Sequence, residues 1–313
     1  MLRRVASHLF WTARNLERAE WRARLADVNY HMLVERAAGT NDGWLPMLAI
    51  TGDRDEFAER YSAADEQSVL EFFTIDERNP SSIRSCIGFA RENCRALRNR
   101  ISSEMWLDVN ALYLDAQQWN RETFRERGVY EFFVELRDRF YHLSGVLQNT
   151  MPRGDGYDFL AVGRTLEAAE NVTRLLDVKY HLLLPRPQDV GSPLDLSQWA
   201  AVLRSASALE AYIGTYGNAI RTDRVVDFLL FDETFPRAAR FCVDRLEAAL
   251  ERVAADGQGN GENVPTAKTL ALRLRSGSAD ATIKTGLHEY LLGIQEDCAR
   301  ISDEVFARYL RFE

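Results

Sequence analysis

The sequence predicts an all-α protein, a helical bundle of two pseudo-symmetric repeats in one globule. Three observations lead there. Glycine and proline are sparse, 18 and 8 in 313 residues, and they cluster between long stretches whose apolar residues recur with helical spacing. The chain is long for one simple core and suits two domains or two fused repeats. A charged segment near the start returns, without a gap, 150 positions later.

The first helix is expected from Val5 to Val34, ending at the turn formers of Ala37-Ala38-Gly39-Thr40-Asn41-Asp42-Gly43. A second begins near Trp44. Gly52-Asp53-Arg54-Asp55-Glu56 interrupts it, and helical spacing resumes over Asp65 to Phe73. Asn79-Pro80-Ser81-Ser82 reads as a helix start, because the missing N–H of proline is not needed in a first turn. The helix that follows carries Ile83, Ile87, Ala90, Cys94 and Leu97 on one face. Glu104 to Gln118 and Val129 to Thr150 come next, and Pro152-Arg153-Gly154-Asp155-Gly156 breaks the chain at its midpoint. The halves are therefore placed at 1–150 and 151–313. In the second half, helices are expected over Asp158 to Leu184, Leu196 to Tyr216, Arg224 to Phe231, Phe235 to Ala254 and Ala279 to Tyr309. Pro185-Arg186-Pro187 stops the first of them, and Gly257-Gln258-Gly259-Asn260-Gly261 reads as a flexible surface loop. Its glycines lack the strand–turn–helix context of a phosphate-binding loop.

Apolar residues make up 46% and charged residues 27%, an ordinary globular balance with ample material for a core. The formal charge of -8 carries no basic footprint of a nucleic-acid binder and disfavours anionic membranes. No apolar run approaches the roughly 18 residues needed to span a bilayer. Charged residues soon follow the opening stretch, so no signal peptide is expected. The four cysteines, Cys86, Cys94, Cys242 and Cys298, form no CxxC and read as reduced, buried thiols of a cytoplasmic protein.

The repeat carries the most information. Residues 14–31 meet 164–181 with 11 identities over 18 positions, where chance gives about one. A weaker echo at a shift of 156 matches Phe72, Asp76, Glu77, Pro80, Arg84 and Cys86 with Phe228, Asp232, Glu233, Pro236, Arg240 and Cys242. Glu17, Glu20, Arg24, Asp27 and His31 are spaced 3, 4, 3 and 4, so they fall in one narrow stripe of a helix. Glu167, Glu170, Arg174, Asp177 and His181 do the same. Such spacing normally belongs to apolar core residues.

Two readings of the stripes stand. One is a salt-bridge network, with Glu20 to Arg24 and Asp27 to His31 at i,i+4, fixing the register of two helices. The other is a polar pocket where both stripes converge, since buried charge is costly without a partner. A third reading gives Asp27, His31, Asp177 and His181 to a pair of metal ions, as in di-metal bundles. Against it, no Glu-x-x-His pair occurs, and Arg24 and Arg174 put positive charge in mid-stripe, which favours an anion. Arg18 is matched by Ala168, so any site there should be lopsided.

Arg14-Asn15-Leu16-Glu17-Arg18-Ala19-Glu20 resembles the Glu-Arg motif of the alpha-E family of bacterial helical proteins, and the resemblance runs along the whole chain. Asp76 with Asn79-Pro80-Ser81-Ser82-Ile83 is similar to the family's Asn-Pro-Ser-Ser motif. Ala90-Arg91-Glu92-Asn93, Ile101-Ser102-Ser103-Glu104-Met105-Trp106 and Gly163-Arg164-Thr165-Leu166-Glu167 match further blocks. The first copy departs in having Ala13 before Arg14 where glycine is usual. The resemblance implies a setting beside circularly permuted ATP-grasp proteins and a part in ATP-dependent amide or peptide bond formation. It implies that this chain binds no cofactor itself, ATP and magnesium being held by that partner. An amino acid or peptide is the expected substrate.

The leading expectation is thus a partner subunit of an ATP-grasp-type ligase. Glu17 or His31 would act as general base on an incoming amine. Arg18, Glu20, Arg24, Asp27, Glu167, Glu170, Arg174, Asp177 and His181 would bind substrate. Asn79, Ser81 and Ser82 either cap a helix or present N–H groups to an anion. The alternatives are a non-enzymatic helical scaffold and, third, a metal-dependent helical-bundle enzyme. His8, His142 and His288 stand outside any triad-like context, and Asp76-Glu77 and Asp232-Glu233 read first as helix-dipole acids.

Overall fold

The computed structural model describes residues 1–35, 41–181, 192–257 and 263–311. Among them every regular element is helical. In the first half these are α1 (Arg3–Glu35), α2 (Leu45–Thr51), α3 (Arg54–Ala58), α4 (Glu66–Thr74), α5 (Ile83–Ala96), α6 (Ser103–Ala116), α7 (Arg121–Arg127) and α8 (Val129–Thr150). The second half has α9 (Asp155–His181), α10 (Pro193–Ser205), α11 (Leu209–Tyr216), α12 (Thr222–Phe231), α13 (Ala239–Ala255), α14 (Pro265–Ser276), α15 (Ala279–Thr285) and α16 (Leu287–Val305). The loop expected at 257–261 lies, after its first residue, outside the described residues, as do 36–40 and 185–187.

α1 and α9 form the centre. α1 holds 33 residues with neither glycine nor proline, and at 1.5 Å per residue it is about 50 Å long. The N-terminal ammonium of Met1 lies 3.6 Å from Asp155, and the side chains of Arg14 and Arg18 reach Glu167. Contacts rise together along both helices, so α1 and α9 run in the same direction. The backbones come close at Gly163, where any Cβ would collide with the carbonyl oxygen of Phe10 and crowd Ala13. That explains why a glycine stands inside a long helix despite costing about 1 kcal/mol there.

The other helices wrap this pair. α5 and α8 pack on α1, while α13 and α16 pack on α9. α6 bridges α5 and α8, and α14 bridges α13 and α16. α2 crosses to α9, and α10 crosses to α1. The apolar faces read from the sequence are buried: Ile83, Ile87, Ala90 and Cys94 of α5 face the core. Side-chain caps start the helices where polar residues allow it. Asp65, Ser82, Ser102 and Ser278 each accept a hydrogen bond from a first-turn N–H, and Asn120 with Thr123 closes a capping box.

Three boundaries differ from expectation. Leu196 to Tyr216 is two helices, broken at Ser207, whose φ of 51° is left-handed. Alanines on both sides keep the apolar pattern unbroken, so the sequence shows no stop. Ala279 to Tyr309 breaks at Gly286, with φ 121°, and a π turn at Phe306–Leu310 ends it. α13 begins at Ala239, four residues later than Phe235, because Asp232 takes the N–H groups of Thr234 and Phe235 into a turn. α7 and α14 were not anticipated.

Candidate functional site: the charged seam between the central helices

The seam between α1 and α9 carries charge where a core would normally be apolar. Arg14, Glu17, Glu20, Arg24 and Glu167 are all buried. Each therefore needs a partner, and the two flanks of the seam meet that need differently.

On one flank Glu167 is closed in by α1. Arg14 Nε donates to its Oε2 at 2.7 Å, and Arg18 donates to Oε1 at 2.7 Å and to Oε2 at 3.0 Å. Arg14 also reaches Glu170 at 2.8 Å and Ser302 Oγ at 3.2 Å, and Glu170 accepts from Arg174 at 2.7 Å. Burial alone would raise the Glu167 carboxyl, but Arg14 and Arg18 outweigh it and hold it below its ordinary value. All charges here have partners.

On the other flank the matching position to Arg18 is Ala168, and the flank is open. A cleft of about 380 Å³ lies there between α8, α9 and α13, with Glu17 and Glu20 of α1 at its inner end. Arg237, just ahead of α13, donates to Glu17 Oε1 at 3.1 Å and to Glu20 Oε1 at 2.5 Å. Glu20 also accepts from Arg24. Burial pushes the Glu17 carboxyl up, the Glu20 carboxylate adds to this, and Arg237 and Arg164 offset only part. Glu20 is held down instead, because Arg237 and Arg24 outweigh its burial.

Two guanidiniums in the cleft have no carboxylate within ion-pair distance among the described residues. Arg164 makes one long hydrogen bond to Ser144 Oγ, 3.4 Å, and Arg245 rests over the Phe241 ring at 5.1 Å. Arg252, at the outer end, pairs with Asp158 at 2.7 Å. An apolar recess of about 40 Å³, walled by Ala13, Leu16, Phe140 and Leu143, adjoins Glu17. Cys242 lines the cleft as a neutral thiol whose pKa burial pushes up to about 12. The arrangement offers a buried carboxyl that burial and Glu20 hold above its ordinary value, beside two guanidiniums that form no ion pair among the described residues.

The remaining stripe residues go elsewhere. His31 lies 14 positions from Glu17 on one helix, about 21 Å along its axis, so the two cannot serve one reacting atom. It sits 3.7 Å from Asp27 and against the Tyr130 ring at 4.8 Å, with its side chain 45% exposed. Asp27 also has Arg137 at 3.7 Å. Asp177 pairs with His288 Nδ1 at 2.5 Å. The His181 side chain lies outside the described residues. Among those residues no three His, Cys, Asp or Glu are grouped to hold a metal ion.

The Asn-Pro-Ser-Ser segment is a structural corner. Asn79 is buried, donating to the Phe72 carbonyl at 3.0 Å and accepting from the Ser81 N–H at 2.9 Å, while Ser82 caps α5. These bonds commit Asn79 and Ser82 to the fold, and none of the three residues lines the Glu17 cleft.

Arg237, Arg245 and Tyr141 were not anticipated. Arg14 and Arg164 were visible as a repeat identity but lie off the stripe. Arg237 aligns with Ser81 at the shift of 156, and only that mismatch marks it. Nothing in the sequence singles out Arg245.

Fold and site together define an all-α protein built around a buried arginine–glutamate seam that is closed on one flank and cleft on the other. The chain belongs to the Alpha-E family, described as a predicted alpha-helical domain with a conserved ER motif, whose profile matches residues 1–310. The Glu17-Arg18 pair fits that motif, and its two members face opposite flanks of the seam. Among similar proteins, an uncharacterized protein of Mycobacterium bovis is 24% identical over 332 residues, covering 98% of this chain and 37% of its own length. Uncharacterized proteins from two strains of Mycobacterium tuberculosis are 24% and 23% identical with the same coverage. The chain thus spans about 37% of these relatives. No solved structure matches it. Among the described residues no helix is long and apolar enough to cross a membrane.

Proposed function

We propose that this chain is the substrate-holding subunit of an ATP-grasp-type ligase system that forms amide or peptide bonds, and that the Glu17 cleft holds the incoming substrate. The partner is a circularly permuted ATP-grasp protein, which carries ATP and magnesium. The observation that carries this reading is the cleft itself: a buried carboxyl of raised pKa beside two guanidiniums with no carboxylate within ion-pair distance among the described residues. An amine must lose a proton to attack an activated carboxyl group, and Glu17 suits that transfer. Arg164 and Arg245 suit a carboxylate-bearing substrate. In the mycobacterial relatives the matched region is 37% of a longer chain, which is in keeping with a module working beside other protein.

The two halves, 1–150 and 151–313, are read as duplicated units related about an axis running along α1 and α9. The paired contacts of α5 with α1 and α13 with α9 support this, as do the crossed contacts of α2 and α10. One unit's glutamate, Glu167, became a structural anchor, and the other's, Glu17, stayed at an open site. The closed Glu167 flank favours a purely structural role for that stripe.

The test is to mix the purified chain with its ATP-grasp partner, ATP and amino-acid pools, and to identify products by mass spectrometry. ATP turnover and a new amide product only in the mixture are expected. Equal turnover by the partner alone overturns the reading.

A further inference from the structure

We infer that the cleft takes an acidic amino acid or the amino-terminal end of a short acidic peptide, with carboxylates on Arg164 and Arg245 and the free amine at Glu17. This names the substrate class and rests on the reading of the cleft given above.

The charge pattern runs along the cleft. Its α9 wall extends from Tyr157 to Ala168, about 16 Å of helix. Arg252 stands beside Asp158 at one end, and Arg237 reaches Glu17 and Glu20 at the other, so α13 runs antiparallel to this wall. Arg245 and Arg252, seven positions apart, share a face of α13. An extended peptide advances about 3.4 Å per residue, so about five residues span the wall. Arg237 and Arg252 are already paired at the two ends, so Arg164 and Arg245 between them are the groups that can take a ligand's carboxylates. Among the described residues Arg164 has one long hydrogen bond, to Ser144, and the exposed Arg245 has no ion pair, so neither must break an ion pair to receive a carboxylate. At the inner end Glu17 is the acceptor for an ammonium. The small apolar recess beside it limits what can lie beyond the amine.

The experiment is calorimetric titration of the full chain at low salt with triglutamate, triglutamine, N-acetyl-triglutamate and inorganic phosphate. Triglutamate should bind one to one, at least tenfold tighter than triglutamine. Arg245→Gln and Arg164→Gln should each weaken it at least tenfold, and Arg125→Gln, an exposed residue remote from the cleft, should leave it unchanged. Acetylation should weaken binding to the wild type at least fivefold and to Glu17→Gln hardly at all. Arg245 is exposed, so its variant keeps the test sound even if Arg164→Gln folds poorly. Equal affinities for the two tripeptides, equal loss in Arg125→Gln, or phosphate binding that triglutamate does not displace overturns the inference. Tight triglutamate binding without ATP turnover in the partner mixture overturns the ligase reading and leaves this one standing.

Discussion

The same substitution at the two sequence-matched glutamates should have unequal effects on stability. Glu167→Gln keeps the side chain's size but removes the charge that the buried Arg14 and the half-buried Arg18 share. Three charge-assisted hydrogen bonds, at 2.7, 2.7 and 3.0 Å, lose their ionic partner. Breaking a buried ion pair from one side costs about 3–5 kcal/mol. Arg14 keeps Glu170 at 2.8 Å, and the Arg18 side chain is 28% exposed to water, which places the expected loss near the low end, about 3 kcal/mol. At about 2–4 °C per kcal/mol this lowers Tm by about 6–12 °C. Glu17 has one hydrogen bond from Arg237 and a carboxyl already disfavoured as a charge, so Glu17→Gln should shift stability by less than about 1 kcal/mol. Thermal and urea unfolding followed by circular dichroism measure both. Equal losses in the two variants would refute the unequal division of the seam.

Further outcomes follow from the same geometry. Ala168→Arg puts a guanidinium beside Glu17 as Arg18 stands beside Glu167; it should weaken ligand binding at least tenfold without lowering Tm, as read by titration and melting. Gly163→Ala drives a methyl into the Phe10 backbone carbonyl, and urea unfolding should show a loss of about 1–3 kcal/mol. The acid limb of stability should depend on Glu167: its folded pKa lies below the ordinary 4.5, so its contribution is present above that value and is lost as pH falls through the folded one. Glu167→Gln should therefore show a flatter acid limb in urea midpoints measured across pH. Glu17 has the opposite sign, because its raised pKa gives a contribution present below 4.5 and lost as pH rises through the folded value, so Glu17→Gln should gain on the wild type as pH rises.

Much of the helical plan was legible because α1, α5, α8 and α9 announce themselves by periodicity and by Gly and Pro at their ends. The breaks at Ser207 and Gly286 were not: the apolar pattern continues through both, Ser207 is marked only by its backbone angle, and Gly286 is a single glycine inside a helical pattern. The i,i+4 pairs Glu20 with Arg24 and Asp27 with His31 could be read from spacing alone. The bonds that decide the site could not: Arg14 to Glu167 spans 153 positions and Arg237 to Glu17 spans 220. Reading five residues as one cluster followed from their shared helix face, but a face about 21 Å long is several environments, and the length of α1 separates Glu17 from His31. The substitution of Ala168 for Arg18 was the one sequence signal that located the open flank.

The role of Glu17 is tested most directly by product formation in the ATP-grasp mixture containing Glu17→Gln in place of the wild-type chain. The amide product should fall at least a hundredfold, about 2.7 kcal/mol of lost transition-state stabilisation, while the variant still melts within a few degrees of the wild type. Undiminished product from a well-folded Glu17→Gln chain would contradict it.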